Sequence, residues 1–574
     1  MPMLDPGNAL QGDIVIGDTD SWCRATFDEV MKYGGFVSRT GMRSSAATIG
    51  FVALLSGPFA GAQHRIDGAR AATDVNTLLV ANNQWTGNFD PANDYGQVGP
   101  VIFRNCYEPL IRLKGSSSQY QGVLATSWSS NAAKTVWTFH LRHGVTFHDG
   151  TPFNAAAVKF SINRTIGLNL GPSFIMGQFM SKDGVKVLDP YTVEFDLTVP
   201  APRLLAAMTS QWGNSIVSPA AIKAHTVKND QGQAWLASHD AGSGPYILSQ
   251  VVPNSLVTLT KFPGYWGGWA GQHVGKILMD YVAEEATRRS LIEKGDRDLT
   301  LTFSPQNLRD MQKESGFKID LSPGVLQELL IPTVSGPFAS PLARQALAWA
   351  FDYDAMNKSF LKDFAVQAQG PIAHHIFGHD SGLPMYHTDL AKAKTLFAQA
   401  GVKPGTAATL WYIAGDTLAA QIALITQGQL GQLGIQVRTV GKDINTINTA
   451  QAGNAPASQR PNLWATNWFP DYSDPIDVIT PLYRTKNALG GAVNMGLYSN
   501  KQVDQLLTRA AVTTDPAKQQ MLFDQIQSIL TVADPAATYI SDTSYEQVYR
   551  TTLHGFYSNP AYGNTFDFYP MYKQ

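Results

Sequence analysis

Cysteine is nearly absent from this chain, which carries only 2 in 574 residues, Cys23 and Cys106. Cys23 lies in a stretch expected to be removed, so the remaining chain can form no internal disulfide and must rely on packed cores. An excess of either charge is also missing, with 43 Lys plus Arg against 45 Asp plus Glu. Nucleic acids and anionic membrane surfaces favour a basic surplus, so neither is expected as a partner. The spacings of common catalytic sites are missing too: there is no G-x-S-x-G, H-E-x-x-H, G-x-x-x-x-G-K-[ST] or G-x-G-x-x-G. Ser243, in a Gly-rich turn, reads as backbone punctuation rather than as a nucleophile. Neither enzymatic activity nor a cofactor is expected.

Long apolar runs are scarce as well. Residues 46–62, AATIGFVALLSGPFAGA, form one, but it is shorter than a membrane span and is broken by Gly57-Pro58. Arg39 and Arg43 precede it and small residues follow, the pattern of a secretory signal peptide, here read as residues 42–72 with cleavage after Ala62 or Ala71. A signal normally opens a chain, so residues 1–41 are read as a non-native leader, with translation starting at Met31 or Met42. No cysteine follows the run in a lipoprotein arrangement. The expected product is a freely diffusing, monomeric periplasmic protein.

What is present is more specific. The length exceeds what one hydrophobic core supports, which implies about two or three domains. Aromatics are plentiful, with 12 Trp, 21 Tyr and 27 Phe; most are expected to fill cores and some to line a recognition cleft. In residues 137–163, Trp137, Phe139 and Leu141 alternate with Thr138, His140 and Arg142, the period of a strand with one buried face. Asp149-Gly150 supplies a tight turn, Pro152 stops the pairing, and Asn154 can cap a helix that carries Val158 and Ile162 on one face. Further on, helices ending at Gly401 and Gly434 alternate with strands such as 435–440, the pattern of an open, mostly parallel sheet covered on both faces.

The 137–163 block, WTFHLRHGVTFHDGTPFNAAAVKFSIN, resembles the signature of the family 5 extracellular solute-binding proteins of ABC importers, which include dipeptide, oligopeptide and nickel receptors. Tyr107-Glu108-Pro109-Leu110 resembles the family's "(Y/F)E(P/G)L", Gly242-Ser243-Gly244-Pro245-Tyr246 its "GTGPY", and Tyr265-Trp266-Gly267 its "YWG". PLARQALAWAFD at 341–352 resembles "VRQALNYAID", GQLGIQV at 431–437 resembles "LKKIGIKV", and WFPDYSDP at 468–475 resembles "W.ADYPDP". The ordered matches cover nearly all of the chain after about residue 75. The resemblance implies an α/β, two-lobed periplasmic binding protein, type II-like and of cluster C, with an extra subdomain inserted in lobe I. Lobe I would comprise 73–113, 242–325 and a C-terminal return at 538–574, the inserted subdomain 114–241, and lobe II 326–537.

The same resemblance implies a receptor that binds di- or oligopeptides between its lobes and delivers them to a permease and ATPase complex in the inner membrane. Asp471, matching the family's "W.AD" aspartate, would pair with a peptide's free amino group; a carboxylate in a water-excluding cleft makes a strong charge-assisted bond to an ammonium. Read locally, the turn formers at 470–475 also suit Asp471 as a turn residue. Asn467, Trp468 and Phe469 would lie along the cleft, where main-chain pairing accepts many peptides, although Trp468 equally suits a core. From lobe I the matching candidates are Glu108 and Tyr107. His374, His375 and His379 are a possible metal set, but loop histidines without cysteine or helical spacing also suit a polar surface loop. Receptors for nickel or metal chelates, opines or oligosaccharides are the alternatives within the binding class, and a secreted hydrolase or peptide-sensing scaffold the alternatives outside it.

Overall fold

In the computed structural model the described residues are 74–321, 326–362, 364–451, 459–485 and 494–574; the leader and signal readings concern residues outside them. The described residues all belong to one compact unit, Arg65–Gln574.

Two large sheets organise the chain. The first has seven strands, in the order Phe317–Leu321, Glu546–Arg550, Leu299–Leu301, Thr77–Asn82, Lys276–Tyr281, Leu256–Lys261 and Tyr246–Val252. Thr77–Asn82 is buried along its whole length between two parallel neighbours, which explains its unbroken run of apolar and small residues. The second has six strands, in the order Ala365–Gln367, Thr538–Thr543, Leu326–Pro332, Leu463–Trp468, Ala407–Ile413 and Gln436–Lys442. Both of its faces are covered. Leu329, Ile331, Trp464 and Tyr539 pack on one side with Val503 and Phe523, whereas Leu330, Ala465, Ile540 and Leu410 pack on the other with Leu347 and Ile422.

Two expectations need correction. The second sheet is mixed rather than mostly parallel: parallel pairing is confined to Ala407–Ile413 with its neighbours Gln436–Lys442 and Leu463–Trp468, and Leu326–Pro332 runs antiparallel to both of its neighbours. The cause is topological, because Leu326–Pro332 enters this sheet from the first while Thr538–Thr543 leaves it in the opposite direction. The return crossing also comes later than residue 538. Thr538–Thr543 still pairs within the second sheet, and the chain reaches the first only with Glu546–Arg550, so the crossing is made at residues 544–545.

A third sheet, four-stranded and antiparallel, is built from Ala125–Ser130, Val136–Leu141, Thr192–Asp196 and Val185–Asp189. Here the local reading holds in detail. Trp137, Phe139 and Leu141 are buried on one face, Gly150 takes the left-handed φ of 81° that the turn requires, and Asn154 accepts from the backbone N–H groups of Ala156 and Ala157 to open the helix Ala155–Leu168. That helix packs Val158 and Ile162 against the sheet's apolar face.

Candidate functional site

The site begins where the strand Leu463–Trp468 ends and the helix Pro475–Tyr483 starts. Asp474 caps that helix by accepting from the backbone N–H of Ile476 at 2.9 Å. One turn in, Asp477 accepts from the backbone N–H groups of Asp471 at 2.6 Å and Tyr472 at 3.2 Å. The turn is therefore held by Asp474 and Asp477, which leaves the Asp471 side chain available for another purpose. It accepts a short hydrogen bond from the hydroxyl of Tyr95, which belongs to the segment following the first strand of the other sheet.

Asp471 is only 3% exposed, and burial pushes its carboxyl up to about 6, partly opposed by the Tyr95 hydrogen bond. Burial pushes Asp477 well up as well, and the neighbouring Asp471 charge adds to the effect. Tyr95 is raised by burial and then by the charge of Asp471. Two buried acids side by side, met by one hydroxyl and two backbone N–H donors, form an electronegative site short of a counter-charge.

Aromatic rings surround this point. Tyr95 lies 5.2 Å from Trp212 and 5.7 Å from Phe174, Trp212 lies 6.5 Å from Phe469, and Phe469 lies 5.5 Å from Tyr545 in the return crossing. The two sides also meet directly. Ile175, Ala206, Ala207 and Trp212 share a small core with Tyr472, whose hydroxyl accepts from Gln178 Nε2 at 3.3 Å. Arg203 pairs with Asp474, donates to Gln519 Oε1 at 3.0 Å, and places its guanidinium 4.9 Å from the centre of the Phe377 ring. Tyr95, Trp212, Arg203 and Tyr472 were not singled out from the sequence; their significance comes from contacts with residues hundreds of positions away.

Other expected residues fall into two groups. Asn467 is half-buried and donates to Asp416 Oδ2 at 3.4 Å, while Trp468 packs against the core of the second lobe with its Nε1 lacking a hydrogen-bond partner. Both, with Phe469, are chain neighbours of Asp471. Glu108 and Tyr107 are not brought to this point. Glu108 is 2% exposed and accepts from Ser243 Oγ at 2.8 Å, Trp266 Nε1 at 2.8 Å and the Tyr265 hydroxyl at 3.3 Å. The Tyr107 hydroxyl accepts from the backbone N–H of Ala241. These residues join the Gly242-to-Tyr246 turn to the Tyr265-Trp266-Gly267 segment, and each donor that reaches Glu108 makes its burial tolerable.

A structural role for Glu108 carries its own test. Glu108→Ala should destabilise the fold by about 2 kcal/mol, because Ser243 and Trp266 lose a buried acceptor. Urea unfolding together with calorimetry should find that loss while ligand affinity stays within about twofold, less than the tenfold change that 1.4 kcal/mol represents.

The histidines are dispersed in role. His374 bonds Asp542 through Nδ1 at 2.5 Å, His379 Nδ1 faces the Ile372 carbonyl at 2.8 Å, and His375 is exposed. The His374 and His379 rings lie 4.6 Å apart. Among the described residues no three His, Cys, Asp or Glu side chains are grouped to hold a metal.

Residues 119–490 match the family model for bacterial extracellular solute-binding proteins, family 5 Middle. The chain belongs to this family. Its relatives among family 5 solute-binding proteins include the "Probable D,D-dipeptide-binding periplasmic protein DdpA" of Escherichia coli K12, 28% identical over 88% of this chain and 96% of that protein. The glutathione-binding protein GsiB of Shigella boydii is 26% identical over 87% of this chain and 94% of its own length. Among solved structures, the periplasmic binding protein DppA of Helicobacter pylori, in complex with the peptide STSA, superposes with a TM-score of 0.75 at 22% identity, covering 87% of this chain and 98% of that one. The family fold of two lobes joined by crossing strands is thus the fold seen here.

Proposed function

We propose that this chain is the periplasmic substrate-binding component of an ABC importer, that it works as a monomer without catalysis, and that it closes its two lobes over a di- or oligopeptide. Asp471 seizes the peptide's ammonium group, with Asn467, Trp468 and Phe469 along the bound chain. The observation that carries this reading is the Asp471 carboxylate, sequestered where the lobes meet and held by a single hydroxyl from the opposite side. Left empty, a buried carboxylate is costly; an ammonium in its place supplies the missing charge, so a ligand without the amine is rejected. Peptide-binding proteins among the relatives support the substrate class, and no helix among the described residues is long and apolar enough to cross a membrane.

Native mass spectrometry of protein purified without refolding tests the substrate class. A ladder of peptide masses is expected, whereas sugar masses or a metal shift would overturn it. The pH dependence tests the residue. Burial raises Asp471 to about 6, so below that pH a proton competes with the ammonium for the same oxygens. Affinity for an amine-bearing peptide should fall as the pH drops from 7 to 5, approaching about tenfold per unit below the midpoint. In calorimetry across that range, Asp471→Asn should flatten the profile, and a profile that keeps its slope in the variant would assign the titration elsewhere.

A further inference from the structure

Several buried or half-buried acids in this molecule have a cation, and others, such as Glu108, Asp471 and Asp477, have close uncharged donors instead. Asp90 is matched by Arg164, Asp567 by Arg104, Asp298 by Lys573 and Asp534 by Arg344. Glu328 is different. It lies on Leu326–Pro332, just past the first crossing, and is 0% exposed. Its Oε1 accepts only a long contact from Thr543 Oγ1 at 3.5 Å, and its Oε2 has no hydrogen-bond partner. No basic side chain among the described residues pairs with it. Burial pushes its carboxyl well up, and the charges that act on it, those of Asp416 and Glu546, are both negative and push the same way.

Its position gives that missing partner a direction. In the antiparallel register Glu328 stands opposite Asn467, so the two side chains share one face of the sheet. Asn467 donates to Asp416 Oδ2, which places the Asp416 carboxylate on the same patch. Tyr545, packed on Phe469, lies within electrostatic range of Glu328, which ties the patch to the aromatic lining around Asp471. Asp471 lies four positions after Asn467, a span of at most about 14 Å for an extended chain. An extended tripeptide covers about 10 Å, so one short ligand with a long side chain reaches both acids.

We propose that Glu328, backed by Asp416, forms a second acidic subsite in the cleft that takes a second cationic group of the ligand, the ammonium or guanidinium of a lysine or arginine side chain. This rests on the peptide reading above and makes the receptor selective for basic peptides. The unpartnered oxygen gains a charge-assisted hydrogen bond when such a group enters, and its empty state disfavours ligands with an apolar side chain there. Asp416 contributes field without leaving its own post, since it also caps the helix Thr417–Gln432 by accepting from the Ala419 N–H at 3.0 Å.

The test uses tripeptides in which one lysine is moved through the three positions, each matched against the same peptide carrying norleucine, with affinities measured by calorimetry. At one position lysine should bind at least about tenfold tighter than norleucine, the scale of a close charge pair at an interface. Glu328→Gln should bring that ratio to about one, and Asp416→Asn, which keeps a capping side chain, should reduce it in part. Equal binding of lysine and norleucine peptides at every position, or a lysine preference that persists in Glu328→Gln, overturns the subsite and leaves the peptide reading standing. Failure of every tripeptide to bind overturns both.

Discussion

Asp471→Ala should lower the affinity for a free-amine peptide by about 3 kcal/mol, roughly a hundredfold, because the ammonium then enters a desolvated cleft without its counter-charge. The turn itself should survive, since Asp477 and Asp474 hold it through backbone N–H groups that the substitution leaves in place. The same loss should appear when the wild type is offered an N-acetylated peptide. Combining the variant with the acetylated peptide should cost little more than either change alone, since both remove one interaction. Calorimetry on the four combinations checks this, and additive losses would place the amine elsewhere.

Arg164→Met should destabilise the first lobe by about 3–5 kcal/mol, the cost of stranding a buried charge. Arg164 and Asp90 form a two-pronged pair at 2.8 and 2.6 Å, with side chains only 2% and 0% exposed. The pair ties the helix Ala155–Leu168 to the loop after the first strand, near Tyr95, and Arg164 also donates to the Gln231 carbonyl at 2.9 Å. Adding Asp90→Asn should recover much of the loss, because the remaining amide carries no charge to desolvate. Urea unfolding of the single and double variants provides the comparison, and equal stability of Arg164→Met and wild type would show the pair to be dispensable.

Much of this molecule was legible wherever a feature depends on neighbours in sequence. Asn154 caps its helix, Gly401 and Gly434 take the left-handed turn after theirs, and the alternation at 137–141 faces the core as its period requires. Asp471 was legible as a motif, but its geometry was not: Asp477, not Asp471, takes the backbone N–H groups of the turn, and the Asp471 side chain turns to Tyr95 instead. Glu108 was a candidate through its family-like motif, and the donors that meet it, Ser243, Tyr265 and Trp266, are all more than a hundred positions away. The return crossing was misplaced because Thr538–Thr543 and Glu546–Arg550 are consecutive strands, and no local pattern says that successive strands belong to different sheets.

The register of the crossing strands has a consequence for biogenesis. Leu326 and Thr543 are direct partners in the ladder, so the second lobe leaves and rejoins the rest of the molecule at a single doorway and is continuous in sequence between them. It can finish folding as soon as residue 543 is available. The seven-stranded sheet cannot, because Glu546–Arg550 fills the gap between Leu299–Leu301 and Phe317–Leu321. During vectorial synthesis the segment made first must therefore wait for nearly the last strand, which delays compaction of the leading half until almost the entire polypeptide has emerged.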